Sequence, residues 1–173
     1  MQLDAEQLID VLAEKVGVVD AGVALVGIHT GGAWVAERLA NKLGVAHVGS
    51  VAVTLHRDDF ASRGLHPQKL PTDIGFEIEG RHILLVDDVL QSGRTVRAAV
   101  NELFDFGRPA SVKFAVLVDR GGRQMPIQAD YVAIVMPCST KVREASIELN
   151  VSSTYTTGRL KFSCSRLPNF FAR

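Results

Sequence analysis

Cysteine is scarce in this 173-residue chain, which holds only Cys138 and Cys164. A disulfide framework needs an even, closely spaced set, and no CxxC metal motif occurs, so the two thiols read as small, reduced apolar residues. Net charge is absent as well: 19 Lys+Arg balance 19 Asp+Glu. That balance argues against a surface given over wholly to nucleic acid and leaves room for a local basic patch. Long apolar runs are lacking too. The longest, Ala21–Ile28, is far too short to span a bilayer. The opening MQLDAEQLIDVLAEK carries acids where a secretory leader has a basic start and an apolar middle. These features predict a cytoplasmic protein. There is no internal repeat, no GxxxxGK[ST] and no GxGxxG.

What is present is a globular composition, 47% hydrophobic and 22% charged, which excludes disorder over most of the chain. The length suits one domain, expected over residues 1–150, with residues 151–173 as an extension. Leu8, Val11, Leu12 and Val16 fall at helical spacing within 4–16, behind Asp4 and Glu6, and Gly17 ends the pattern. Val23–Ile28 reads as a strand buried on both faces. It breaks into His29-Thr30-Gly31-Gly32 before a helix marked by Ala36, Leu39, Ala40 and Leu43 and capped by Gly44. His47–Leu55 reads as a further strand.

Residues 56–80 hold two prolines and no sustained periodicity, as in a functional lid or an insertion. Ile74, Phe76 and Ile78 alternate, so a long-armed hairpin is the competing reading. Then come a strand over His82–Val86, a helix over about 95–106 with Val96, Ala99, Val100 and Leu103, and strands over Val112–Val118 and Tyr131–Val135. Glu144–Leu149 alternates like a last strand. Strands alternating with helices predict an α/β fold with a parallel sheet covered on both faces.

The chemistry concentrates in ILLVDDVLQSGRT, Ile83–Thr95. A buried strand delivers Asp87 and Asp88 to its carboxyl end, where open α/β sheets place ligands. Ser92-Gly93-Arg94-Thr95 then makes a small turn opening a helix, whose unpaired N–H groups and positive dipole end suit an anion. Carboxylates beside a monophosphate cradle fit a phosphorylated sugar, the acids serving hydroxyls or Mg²⁺.

Val86–Thr95, VDDVLQSGRT, resembles the 5-phosphoribosyl-1-pyrophosphate (PRPP) signature of type I phosphoribosyltransferases. RTVRAAV, ELFDFGRPASVKFAVLVDRGGRQMPIQADYV, VGIHTGG and HRDDF narrow the resemblance to the PyrR family, pyrimidine operon attenuators that double as uracil phosphoribosyltransferases. It covers roughly residues 20–149. It implies the type I phosphoribosyltransferase fold, a mostly parallel sheet flanked by helices with a small hood and a flexible loop.

The resemblance also implies roles. Asp87 and Asp88 would hold the ribose hydroxyls directly or through Mg²⁺, and with Arg57 they form the candidate catalytic set. Gln91, Ser92, Gly93, Arg94 and Thr95 would wrap the 5-phosphate. His29, Thr30, Gly31 and Gly32 look like the pyrophosphate loop, where a strained or cis peptide is expected. Arg57, Asp58 and Asp59 would open the flexible loop that closes over PRPP and excludes water. Val118–Arg123 looks like the base-recognition loop, with Arg120 near the base and Val132 to Val135 reading its edge. Purine-specific relatives carry an acid at the position of Gln91, able to act as a general base, whereas an amide cannot. PyrR proteins more often have an aromatic residue there, and Ser92 replaces the usual Thr.

The implied activity converts uracil and PRPP to UMP and pyrophosphate with Mg²⁺, and the implied partner is a pyrimidine operon leader mRNA. Alternatives are a nucleotide-sensing RNA regulator with little catalysis, or a phosphoribosyltransferase for another nucleobase. Residues 1–28 hold Lys15 against five acids, so the sequence supports the enzyme better than the RNA binder. Basic candidates for RNA are Arg94, Arg97, Arg120, Arg123, Lys141, Arg143 and the tail. The tail mixes Arg159, Lys161, Arg166 and Arg173 with Tyr155, Phe162, Phe170 and Phe171 and has no acid. It reads either as a partner for single-stranded RNA or as a partly disordered extension or added edge strand. Relatives assemble as homodimers or tetramers.

Overall fold

The computed structural model describes residues 2–53 and 71–136, with backbone alone at 2–3, and the backbone of residues 142–144, 147–149, 159–162 and 165–166. Strand β1 (Gln2–Asp4) runs straight into helix α1 (Ala5–Val16), where the Asp4 carboxylate accepts the Glu6 N–H at 3.0 Å and caps the first turn. Leu8, Ile9 and Leu12 form its buried stripe. Strand β2 (Ala24–Ile28) is buried throughout, as its unbroken apolar run dictates. Helix α2 (Gly31–Leu43) follows and ends at Gly44, whose φ of 68° is the left-handed cap that glycine favours. Strand β3 (His47–Val51) is shorter than the expected 47–55. Past it the Ala52 N–H donates to Thr72 Oγ1 at 3.0 Å, a side-chain partner in place of a sheet neighbour.

Strand β4 (His82–Leu90), helix α3 (Arg94–Asp105), strand β5 (Ser111–Asp119) and strand β6 (Tyr131–Val135) complete the main sheet. Its order is β3-β2-β4-β5-β6, and every pairing is parallel. Alternation sorts the apolar side chains onto two cores. Leu25, Leu84, Val86, Ala115 and Leu117 pack with α1 and α2 on one face. Val26, Ile28, Ile83, Leu85, Phe114 and Val116 pack with Val96, Ala99 and Leu103 of α3 on the other. Each fully buried Leu or Ile contributes about 1.5–3 kcal/mol before the entropy cost of ordering the chain.

Because α2 leaves β2 over one face and α3 leaves β4 over the other, the strand order reverses between these two parallel neighbours. The carboxyl ends of β2 and β4 therefore flank the crevice in which doubly wound sheets bind ligands.

The long-armed hairpin considered for 56–80 falls largely outside the described residues. Among those described, Asp73 makes an isolated antiparallel bridge to Ser50, while Ile74, Phe76 and Ile78 pack against the α3 core, so their alternation accompanies one-sided burial. One expectation changes. The single strand expected over 144–149 is instead β7 (Val142–Glu144) and β8 (Ile147–Leu149). Their partners differ, which alternation cannot reveal. Strand β9 (Arg159–Phe162) lies antiparallel between β1 and β8, and β10 (Ser165–Arg166) pairs with β7. Among the described residues, no helix is long and apolar enough to cross a membrane.

Candidate active site

The pairing of β2 with β4 stops at Gly27↔Val86, whereas that of β4 with β5 runs on to Leu90↔Asp119. The acidic pair thus belongs to the strand itself, which continues past the Val86 end expected from sequence, and it lies beyond the last pairing with β2. Asp87 is 5% exposed and Asp88 half-buried. The Asp88 N–H donates to Asp87 Oδ1 at 2.9 Å, and the Val89 N–H to Asp88 Oδ1 at 2.9 Å. These bonds fix both carboxylates relative to the backbone.

The chain leaving β2 meets this pair directly. The His29 N–H donates to the Val51 carbonyl at 2.9 Å, the His29–Thr30 peptide is cis, and α2 starts at Gly31. A Cβ added to Gly32 would lie 2.9 Å from Asp87 Cα and 3.1 Å from its Oδ1, and closer still to the Val86 carbonyl oxygen. Only glycine fits that approach. Neither Thr30 at the start of α2 nor Gly93 at the start of α3 caps its helix with a side chain, in contrast to Asp4 on α1. Two helix N-termini thus converge on the acidic strand, and such ends attract anions.

In the 91–95 turn, Gly93 has φ +88°, a left-handed value that side chains rarely adopt. Ser92 is 7% exposed, its Oγ accepts the Arg94 N–H at 3.3 Å, and its carbonyl accepts the N–H groups of Gln124 and Met125 at 2.9 and 3.1 Å. Gln91 is exposed at the head of the turn.

The segment after β5 packs on this turn. Arg120 is 6% exposed; its N–H donates to the Leu90 carbonyl at 2.9 Å and its guanidinium to Gln91 Oε1 at 3.4 Å. Arg123 donates to Asp119 Oδ2 at 2.5 Å, to the Gln91 carbonyl at 3.0 Å and to the Ile127 carbonyl at 2.9 Å. Burial pushes the Asp119 carboxyl up, but the Arg123 hydrogen bond, the Gly121 N–H and the Arg123 charge outweigh it and hold the group below its ordinary value.

The structure therefore brings His29–Gly32, Asp87, Asp88 and Gln91–Thr95 to one edge of the sheet, with Arg120 beside Gln91. Val135 is exposed at the carboxyl end of β6, level with Asp119. Val132 packs against the α3 core, and its carbonyl accepts Lys15 Nζ at 2.6 Å. Arg57, Asp58 and Asp59 lie outside the described residues. Asp119 and Arg123 both fall in the base-recognition loop expected from sequence, and Arg123 also stood among the basic candidates for RNA; what sequence reasoning missed is that the two side chains pair, and their opposite charges four residues apart were the available signal. It also missed Gly27, where a Cβ would lie 2.6 Å from the Ala33 nitrogen. A lone glycine in an apolar strand is the usual mark of such an approach.

Residues 4–151 match the phosphoribosyl transferase domain family. A bifunctional protein PyrR from Ralstonia nicotianae is 56% identical over 136 residues, covering 76% of this chain and 78% of that protein. One from Nitrosococcus oceani is 57% identical over 112 residues, covering 63% of each, so the match spans just under two-thirds of that relative. Among solved structures, a hypoxanthine phosphoribosyltransferase from Trypanosoma cruzi superimposes with a TM-score of 0.61 over 92% of both chains, at 22% identity. That likeness concerns the fold, and it agrees with the parallel sheet and the crevice described above. The chain belongs to the phosphoribosyltransferase family and, within it, to the bifunctional PyrR proteins.

Proposed function

We propose that the protein transfers the phosphoribosyl group of PRPP to uracil, releasing pyrophosphate and forming UMP, and that it also regulates pyrimidine genes by nucleotide-dependent binding to their leader mRNA. The observation that carries the catalytic half is the fit of the Gly32 loop against Asp87, flanked by the N-termini of α2 and α3.

The bond from ribose C1 to the pyrophosphate oxygen breaks as a bond to uracil N1 forms, and the N1 proton passes to the departing pyrophosphate or to water. The transition state is oxocarbenium-like. Asp87 and Asp88 hold the ribose hydroxyls and place negative charge near the cationic ring, a preorganised electrostatic contribution. Backbone N–H groups of Gly31 and Gly32 receive the departing pyrophosphate, with His29 and Thr30 beside them. The 91–95 turn anchors the 5-phosphate, so that C1 is positioned before reaction. Arg120 and the backbone near Val135 face the base. Gln91 cannot take a proton as an acid at that position would, which favours a pyrimidine over a purine.

Adjacent carboxylates suit a cation shared with substrate: Mg²⁺ keeps several water and phosphate ligands and needs few from protein. Among the described residues, no group of three or more His, Cys, Asp or Glu could cage a metal by itself. Asp87 and Asp88 would hold Mg²⁺ on PRPP, where it supplies charge neutralisation for the leaving group.

For RNA, Arg94 and Arg97 are exposed on α3, while the Arg123 guanidinium is spent inside the protein. The protein acts in the cytoplasm as a homodimer or tetramer. Competition among uracil, hypoxanthine and guanine for PRPP-dependent turnover tests the base assignment. Uracil should be consumed in preference; a purine product would overturn it.

A further inference from the structure

We infer that Arg123 is a positioning residue that locks the phosphate turn and the base loop into one register, so that a ligand spanning both is bound as a unit. The inference rests on the phosphoribosyl-transfer reading of the site and adds a residue that does not itself touch substrate.

Three N–H groups of one guanidinium reach three separate segments. Nη2 meets Asp119 at the end of β5, Nη1 meets the Gln91 carbonyl at the head of the phosphate turn, and Nε meets the Ile127 carbonyl at the far side of the base loop. Backbone bonds run across the same seam. Gln124 and Met125 donate to the Ser92 carbonyl, and Arg120 donates to that of Leu90. A Cβ on Gly93 would stand 3.3 Å from Met125 Cβ and 3.4 Å from Ile127 Cβ. The outer wall of the phosphate turn is therefore the inner wall of the base loop.

An arginine is required for this arrangement. Its planar fork presents donors in fixed, divergent directions, whereas a lysine ammonium is a point charge on a flexible stem. Asp119 orients the fork and neutralises it, and its remaining oxygen accepts the Gly121 N–H at 2.8 Å. With the fork in place, ordering the turn around a 5-phosphate orders the loop that meets the base. Bound ribose 5-phosphate should accordingly tighten uracil binding, and UMP should bind more tightly than its two halves suggest.

The test compares wild type with Arg123→Lys and Asp119→Asn, each checked for folding by circular dichroism. Steady-state KM for PRPP and uracil is measured, with calorimetric binding of UMP, of ribose 5-phosphate, and of uracil with and without ribose 5-phosphate. In both variants the enhancement of uracil binding by ribose 5-phosphate should vanish, and the KM values should rise roughly tenfold while kcat falls less. A purely structural role would lower the melting temperature and leave the enhancement intact, which overturns the inference. Should Arg123→Lys fail to fold, the near-isosteric Asp119→Asn carries the test. A wild type that neither turns over uracil with PRPP nor binds UMP overturns the underlying reading, and the clamp with it. A wild type that does both, with variants whose enhancement and KM values are unchanged, overturns the clamp alone.

Discussion

Gly32 stands against Asp87 with no room for a side chain between them: an added Cβ would come within 2.9 Å of Asp87 Cα. This contact joins the loop after β2 to the acidic pair on β4 across the point where the strand order reverses. It puts the donors for a leaving anion next to the carboxylates for a ribose.

Gly32→Ala should therefore be costly out of proportion to one methyl group. The neighbours are backbone, which cannot swing aside, so overpacking should cost about 1–3 kcal/mol of stability and displace the acidic strand. Thermal unfolding and the KM for PRPP are the measurements, and a variant matching wild type in both would contradict the geometry.

Asp88→Asn keeps size and hydrogen-bonding shape while removing the charge. The fold should survive, and kcat/KM should drop by roughly a hundredfold or more, the scale for losing one preorganised electrostatic group. Near wild-type turnover would remove Asp88 from the proposed role.

Gly93→Ala tests the seam between the phosphate turn and the base loop. A side chain at φ +88° costs about 1–2 kcal/mol, and the new methyl meets Met125. The KM values for PRPP and for uracil should rise together; a rise confined to PRPP would contradict a shared wall.

The sequence carried the architecture well because burial on both faces writes itself as apolar runs. Ala24–Ile28 and the start of β4 needed no alternation to be seen. The acidic pair and the turn after it were equally legible, since both lie in one short run. Partnership was not. Whether 144–149 pairs as one strand or two, and whether Ile74–Ile78 has a strand beside it, depends on distant segments. The bond from Lys15 to the Val132 carbonyl, between residues far apart in sequence, was equally hidden. Arg123 stood both in the expected base loop and among the basic candidates for RNA, because sequence shows charge and hides where a side chain is spent. The expected loop at Arg57–Asp59 lies outside the described residues.

Acid should loosen the Asp119–Arg123 pair. The Asp119 carboxyl is held below its ordinary value in the folded protein, so its stabilising contribution is present above that value and is lost as pH falls through the folded one. Unfolding measured across the acid range should show a steeper loss of stability for wild type than for Asp119→Asn. Parallel profiles would mean that the pair contributes nothing.

RNA binding, if it uses the exposed face of α3, should be strongly salt-dependent. Arg97→Gln should weaken it for all sequences, lower the salt slope by about one, and leave UMP formation intact. A gel-shift series across salt concentrations tests this. The acidic N-terminal segment and the internal use of Arg123 predict affinity modest beside the catalysis. Tight UMP-dependent binding to a pyrimidine leader hairpin at physiological salt would contradict that expectation.

The most direct test is UMP formation from uracil, PRPP and Mg²⁺, with Asp88→Asn and a metal-free sample alongside. Robust turnover that needs the metal and fails in the variant is the predicted result. Binding of PRPP or UMP without any turnover would contradict the catalytic account and leave a nucleotide sensor that kept its pocket.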